Sequence, residues 1–427
     1  MRGLSDYQRR LVVFLSVATF FEGYDMLALT QLLPNLRRHF ALSESEGGAM
    51  IALINVGTVL AYFLVRLADR WGRRRVLSVT IAGYTVMSFL SALAPNAVVF
   101  ALAQLCARVF LIGEWAVAMV VAAEEFPADR RGTVIGVIQG FSSLGAIVCA
   151  GLVPLMLKAP MGWRTVYMVG AVPLVILAWA RRDLRETTRF VKQQETLAPP
   201  SVEPAAGELA SPYRPERAAA TRDRPLTAIL RGPWRKRVFV LSAVWFCTYI
   251  CTQNAVTFWK EFAVHDRGLT DGAVGLSVSI AALASMPLVF YAGRLLDRVG
   301  RRVGAAVILG AAALGTFTSY TAHDRWALTA SLVLSVFGAS AVLSLLNAYT
   351  TELFPTDQRG DAFAWSNNLL GRLGYVLSPL ALGFAAQRVG WGAAVAPTAV
   401  FALVALGIVW VALPETRGRE LEDTARL

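Results

Sequence analysis

The chain has 427 residues, 56% of them hydrophobic and 16% charged, where soluble domains average about 25% charged. A single soluble core cannot hide that much apolar surface, so the excess faces lipid. The net charge of +12 invites a nucleic-acid reading, but its distribution along the chain, described below, sets that reading aside. All four cysteines (Cys106, Cys149, Cys247, Cys251) fall inside apolar runs, without the His or Cys neighbours of a metal site, and Cys247 and Cys251 read as two small apolar residues on one helix face. His39, His265 and His323 lie in connecting segments, and no cofactor is implied.

A membrane span needs about 20 apolar residues, and twelve stretches qualify. The first, 11–33, is too long for a signal-peptide core and has no small-residue cleavage site. It carries Glu22 and Asp25, three residues apart and hence on one helix face. Runs at 48–66 and 76–94 follow, joined by a basic turn. The fourth run, 97–123, holds Arg108 and Glu114; the fifth, 133–157, holds Gln139 among glycines and serines; the sixth is 163–180. Residues 181–237 are rich in Arg, Pro, Ala and Glu, with 198–220 reading as disordered and 181–194 and 226–236 as short interfacial helices. Six further runs follow at 238–259, 272–293, 303–321, 326–351, 361–386 and 391–413. They bring in Gln253, Asn254, Asn347, Asn367, Asn368 and Arg372. The expected fold is all-α, with an N-terminal six-helix bundle over 1–180, a cytoplasmic loop over 181–237 and a C-terminal bundle with a short tail over 238–427.

With both termini placed in the cytoplasm, 31 of the 41 Lys and Arg fall inside and eight outside, leaving Arg108 and Arg372 within spans. That asymmetry is the positive-inside signature, so the basic balance reports topology. Two segments also recur. Residues 65–74 (VRLADRWGRR) match 293–302 (GRLLDRVGRR), placing Asp69 against Asp297 at an offset of 228. Residues Glu124–Gly132 match Glu352–Gly360 at the same offset, so no insertion separates the two motifs. The chain is therefore a duplicated six-helix unit, a parallel repeat about an axis along the membrane normal.

These motifs resemble the major facilitator superfamily over essentially the whole length. Its hallmark G-x-x-x-D-R-x-G-R-R is complete in the second copy (Gly293, Asp297, Arg298, Gly300, Arg301, Arg302), while the first has Val65 in place of the leading glycine, then Asp69, Arg70, Gly72 and Arg73. The E-x-x-P-x-x-x-R-G signature (Glu124, Pro127, Arg131, Gly132; Glu352, Pro355, Arg359, Gly360) and the Pro414–Gly418 tail are similar to those of sugar and organic-acid porters. The resemblance implies that these loop charges gate the movement of half-bundles, with Asp69 facing the start of span eleven and Asp297 the start of span five; the bland alternative is that the arginines only enforce topology. Glu22-Gly-Tyr-Asp25 and Gly113-Glu-Trp115 resemble the aromatic-acid and metabolite:proton symporters. Those families place arginine ten residues before Glu114, where this chain has Gln104, with Arg108 one turn on.

Charged residues within spans cost roughly 2.5–3.5 kcal/mol each and so mark function. The five here leave the cavity one proton from neutrality when every carboxylate is ionised. Since the last six spans hold no carboxylate within their apolar interiors (Asp361 stands at the very edge of the eleventh), proton coupling is expected in the first half. Asp25 is the first choice as proton acceptor and Glu22 the second, because desolvation favours a neutral carboxyl; a helix-interface hydrogen bond is the alternative for Glu22. Arg108 is expected to pair with Asp25 when no proton is bound. Arg372 has no acid in its own half and is free to take an anionic group in a two-point contact. Glu114 reads better as a structural partner at the helix interface. Gln139, Gln253, Asn254, Asn347, Asn367 and Asn368 complete a substrate-binding set; Trp245, Tyr249 and Trp259 read as packing more readily than as cavity walls.

The leading expectation is a secondary carrier importing a small organic anion with protons, acting as a monomer in a bacterial inner membrane. Alternatives are a sugar carrier, a drug or metabolite exporter, and a sensor on the same fold. No nucleophile–metal cluster and no phosphate-binding G-x-x-x-x-G-K-[ST] supports an enzyme or an ATP-driven pump.

Overall fold

The computed structural model describes residues 5–126, 128–170, 227–355 and 358–417, and every regular element among them is helical. The principal helices are α1 Asp6–Phe40, α2 Glu44–Trp71, α3 Arg73–Ala92, α4 Ala97–Glu125, α5 Ala128–Met156 and α6, which starts at 163 and is described to 170. After 227 come α7 Arg235–Thr257, α8 Asp271–Val299, α9 Arg301–Thr321 and α10 Arg325–Glu352. Helix α11 begins at Arg359–Phe363, passes through a π-helical stretch Ala364–Gly371, and continues as Arg372–Val395; α12 is Ala399–Ala412. Ten helices among the described residues are long and apolar enough to cross a membrane, the last of them a continuous 359–412 stretch in which Gly390 leaves the helical region.

The helices outrun the apolar runs that announced them. Ser5 and Gln8 form a capping box that starts α1 five residues before its apolar stretch, and Ser43 and Glu46 form one that starts α2 four residues before its own. The single interfacial helix expected over 226–236 is instead divided. Gly232 and Pro233 stop Ala228–Arg231 after one turn, and α7 begins at Arg235. The segments 181–194 and 198–220 lie outside the described residues.

The internal repeat is visible in the backbone. Gly72 ends α2 with φ 95° and ψ 149°; Gly300, 228 residues on, ends α8 with φ 92° and ψ 167°. Only glycine occupies that region readily, and it lets α3 and α9 turn back at once. Arg73 donates to the Ala68 carbonyl at 3.2 Å and pairs with Glu124 at 3.2 Å. Arg301 repeats both contacts, to the Leu296 carbonyl at 2.9 Å and to Glu352 at 2.7 Å. The tail adds a clasp. Glu415 accepts from the backbone N–H groups of Arg301 (2.8 Å) and Arg302 (2.9 Å), capping α9, whose own N-cap Gly300 has no side chain to do so.

Apolar packing divides the molecule by level. At the end bearing the Gly72 and Gly300 turns, each half has its own core: Leu11–Ala18, Val76–Ile81 and Val117–Ala122 contribute to one, and Leu241–Trp245, Ala305–Leu309 and Leu345–Tyr349 to the other. At the opposite end one core is shared, joining Leu29, Leu32, Leu36 and Ile54 to Phe258, Trp259, Phe262 and Leu382. There α2 presses on α11, where a side chain on Gly48 would run into Gly383, and α5 meets α8 where Gly275 faces the Ala150 carbonyl. The halves are sealed at one end and separate at the other.

Candidate functional site

The polar residues within the spans sit at the waist between these cores. On α1, Ala18 belongs to the separate core and Tyr24 to the shared one, with Glu22 between them. On α5, Gln139 and Ser142 fall between Ile138 and Cys149; on α7, Gln253 and Asn254 fall between Tyr249 and Ala255. Arg372 on α11 and Arg108 on α4 occupy the same level. The waist is where a carrier's site must lie if either end is to be closed in turn.

The Glu22-Gly-Tyr-Asp25 run assigns each residue a separate neighbour. Glu22 accepts a hydrogen bond from the Ser142 hydroxyl at 2.8 Å. A side chain on Gly23 would collide with the Ser142 backbone, and one on Gly145 with the Phe20 carbonyl, so the two glycines allow α1 and α5 to touch along their backbones. Tyr24 turns into its own half and donates to the Val166 carbonyl at 3.1 Å. Asp25 is 3% exposed, with the Tyr84 hydroxyl in hydrogen-bonding reach and Arg108 as its charged neighbour. Glu114, also 3% exposed, faces Glu22, and its Oε1 has no protein partner. Arg108 forms no ion pair among the described residues. One Nη donates to the Met26 thioether, and its Nε is buried without a partner.

The second half supplies aromatics, amides and a cation. Trp245 and Tyr249 stack with ring centroids 5.4 Å apart, Tyr375 meets Tyr249 edge-on at 5.7 Å, and Tyr249 donates to Asn367 Oδ1 at 2.7 Å. Trp245 is fully buried and Tyr249 nearly so, so these rings face protein and not lipid. Trp259 belongs to the shared core instead. Asn254 donates to Ser378 Oγ at 2.7 Å while its Oδ1 lacks a partner. Arg372 donates to the Thr58 carbonyl of the other half at 3.3 Å, its Nε is buried and unpaired, and it meets no carboxylate among the described residues. The π-helical stretch just before it contains Asn367 and Asn368. Such bulges leave backbone groups displaced from the helical ladder and recur at functional sites.

The sequence set is gathered unequally. Glu22, Asp25, Arg108, Glu114, Gln139, Gln253, Asn254, Asn367, Asn368 and Arg372 share the waist; Gln139 accepts from Trp115 Nε1 at 3.4 Å. Asn347 does not join them; it is exposed on α10, at the level of the separate core of the second half. Among the loop charges, Arg73, Glu124, Arg301 and Glu352 brace their own halves as described, Asp297 pairs with Arg301 at 3.0 Å, and Arg359 donates to the Phe354 carbonyl at 3.0 Å. Gly293 and Arg298 are exposed on α8. The side chains of Asp69, Arg70 and Arg131 lie outside the described set.

Sequence reasoning passed over Tyr84 and Tyr375. Tyr84 had a signal: Thr80, Tyr84, Ser88 and Ser91 form a polar stripe at helical spacing along α3, all buried. Also unannounced is a charged cluster at the sealed end, on the short helix Trp259–His265 after α7. There Glu261, fully buried, pairs with Arg37 of α1 at 2.9 Å, and Lys260 pairs with Asp271 at 2.6 Å.

Comparisons with known proteins agree with this architecture. A family model described as Major Facilitator Superfamily matches residues 15–367 and 241–426. A "Probable 4-methylmuconolactone transporter" from Cupriavidus pinatubonensis is 26% identical over 94% of this chain and 89% of its own length. A niacin transporter from Acinetobacter baylyi is 23% identical over 98% of this chain and 97% of its own. Among solved structures, a D-xylose–proton symporter superposes with a TM-score of 0.73 at 16% identity, covering 97% of this chain and all of its own.

Proposed function

The chain belongs to the Major Facilitator Superfamily, and on that premise we propose that it carries a small ring-bearing organic anion, coupled to protons, by alternating access. It does so as a monomer of twelve spans in a bacterial inner membrane. Both termini and the 181–237 linker are cytoplasmic, so the sealed end is the outer one and the separated end opens inwards.

The observation that carries this reading is the asymmetry of the waist. Among the described residues, one half presents Glu22, Asp25 and Glu114 with a single guanidinium at the waist; the other presents Arg372 without an acid, beside the Trp245–Tyr249 stack. An unpaired guanidinium next to buried ring faces is suited to a carboxylate on an aromatic or similarly flat body. The cargoes named for the two relatives, 4-methylmuconolactone and niacin, are each a small ring carrying an acid group, which supports the same class.

In the cycle, cargo enters from outside with its acid group on Arg372. With the anionic cargo aboard the waist is two protons from neutrality, one taken by Asp25 and the second by Glu22, which Ser142 holds. Closing the outer end over a neutral set avoids burying a net charge. Once the inner end opens and the proton leaves, Arg108 is the charged neighbour that the Asp25 carboxylate meets at the waist.

Proteoliposome uptake of a panel of organic acids, with internal pH followed at the same time, tests this. Asp25→Asn is expected to abolish gradient-driven accumulation while sparing exchange of internal for external cargo. Normal accumulation by that variant removes the coupling role.

A further inference from the structure

In the cluster at the outer end, one buried guanidinium serves two carboxylates. Arg37, 7% exposed, is shared by two carboxylates, Glu44 at 2.6 Å and Glu261 at 2.9 Å. Glu261 belongs to the short helix of the second half and has no exposed surface; its Oε1 has no protein partner. Lys260 pairs with Asp271 at the start of α8 and donates to Asn35 of α1 at 3.5 Å. His265 stands 3.3 Å from Glu261 on the same helix, Asp266 accepts from the Gly392 N–H, and Trp391 of α11 lies under Arg37 at 6.0 Å. Arg38 on α1 is exposed. Arg267, next to the exposed Asp266, donates to the Ala322 carbonyl at 2.9 Å. In the buried ion pairs two cations, Arg37 and Lys260, thus serve three acids, Glu44, Glu261 and Asp271, and Glu261, without a cation of its own, is the most deeply buried.

We propose that Glu261 is a second proton-binding carboxyl, loaded from the outer solution as the outer face closes and released to it when that face reopens. Its proton does not cross the membrane; it permits burial of a side chain that would otherwise carry an uncompensated charge into the seam. The proposal rests on the alternating-access reading above but not on the cargo or on Asp25.

Desolvation and the pH response agree with this. Burial pushes the Glu261 carboxyl up to about 7, against the downward pull of Arg37. Partial burial of Glu44 is outweighed by hydrogen bonds from its own backbone and from Arg37, which hold it below the ordinary range, so Glu44 is the partner that stays ionised. His265 is lowered, by burial first and by Arg37 second, and stays neutral at pH 7. When the outer face opens, water reaches Glu261 and its carboxyl returns towards the ordinary 4.5. The closed form therefore binds the proton more tightly, and acidification favours closure. From pH 8 to pH 6 the closed-to-open ratio is expected to rise about tenfold.

Spin labels at Arg38 and His323, both exposed at the outer end of opposite halves, read this ratio by double electron–electron resonance. The carrier is the full chain in nanodiscs with its native cysteines replaced. Wild-type background should shift towards the shorter distance on acidification. Glu261→Gln should hold the short distance at both pH values, and Glu261→Asp should restore the response. Glu44→Gln, which leaves Arg37 to Glu261 alone, should move the midpoint to lower pH. A pH response in Glu261→Gln equal to wild type, or an unmoved midpoint in Glu44→Gln, overturns the proposal. Failure of proton-driven uptake with an intact distance response would instead remove only the coupling reading.

Discussion

At the scale of single residues, the waist is explained by which polar groups are satisfied. Glu22 has Ser142 and Asn367 has Tyr249, whereas Arg108 and Arg372 each keep a buried Nε without a partner, and of the two only Arg372 has no acid beside it among the described residues. Buried donors rarely remain unmet, so this one is the natural place for a ligand oxygen. Arg372→Lys keeps the charge but loses the planar fork, and charged hydrogen bonds contribute about 1.5–3 kcal/mol. Cargo affinity should fall roughly 10- to 100-fold, measured as KM for uptake, with folding unchanged. The acids and arginines of the waist were legible in the sequence because an ionisable residue inside an apolar run stands out. Tyr84 and Tyr375 were not, since a tyrosine is at home in membrane helices, and only the neighbouring Asp25 and Tyr249 give them a role. Glu261 was hidden differently: in sequence it looks like an ordinary loop acid, and only the fold buries it.

At the scale of elements, each half is locked by the same device. A positive-φ glycine reverses the chain, an arginine ties the preceding helix end, and a glutamate at the end of the fourth helix of the unit receives it. Gly72→Ala and Gly300→Ala should each destabilise the protein by about 1–3 kcal/mol, the usual cost of forcing a side chain into that region. The two sites lie in different halves and share no partner, so their effects should add in the double variant. Thermal unfolding in detergent, followed by tryptophan fluorescence, checks both statements. The repeat was readable because charge and glycine must recur at fixed spacing for the device to work. The π-helical stretch Ala364–Gly371 was not, because an inserted residue in a helix leaves apolar periodicity nearly intact.

At the scale of the whole molecule, hydropathy and the 228-residue offset predict two equivalent halves, but they do not say how the halves meet. That depends on long-range packing. Leu32 and Leu36 find Phe258 and Phe262 at one end, while the cores around Val121 and Leu345 remain apart at the other. The shared seam has a thermal consequence. In the proposed cycle, opening the sealed end must wet apolar side chains that are now dry, and exposing apolar surface raises heat capacity. When that step limits turnover, the plot of log rate against reciprocal temperature should be curved, and removing seam surface by Phe262→Ala should straighten it. A carrier sealed by grease at one end is thereby also a thermometer, its cycle tuned by how water receives a few leucines and aromatic rings.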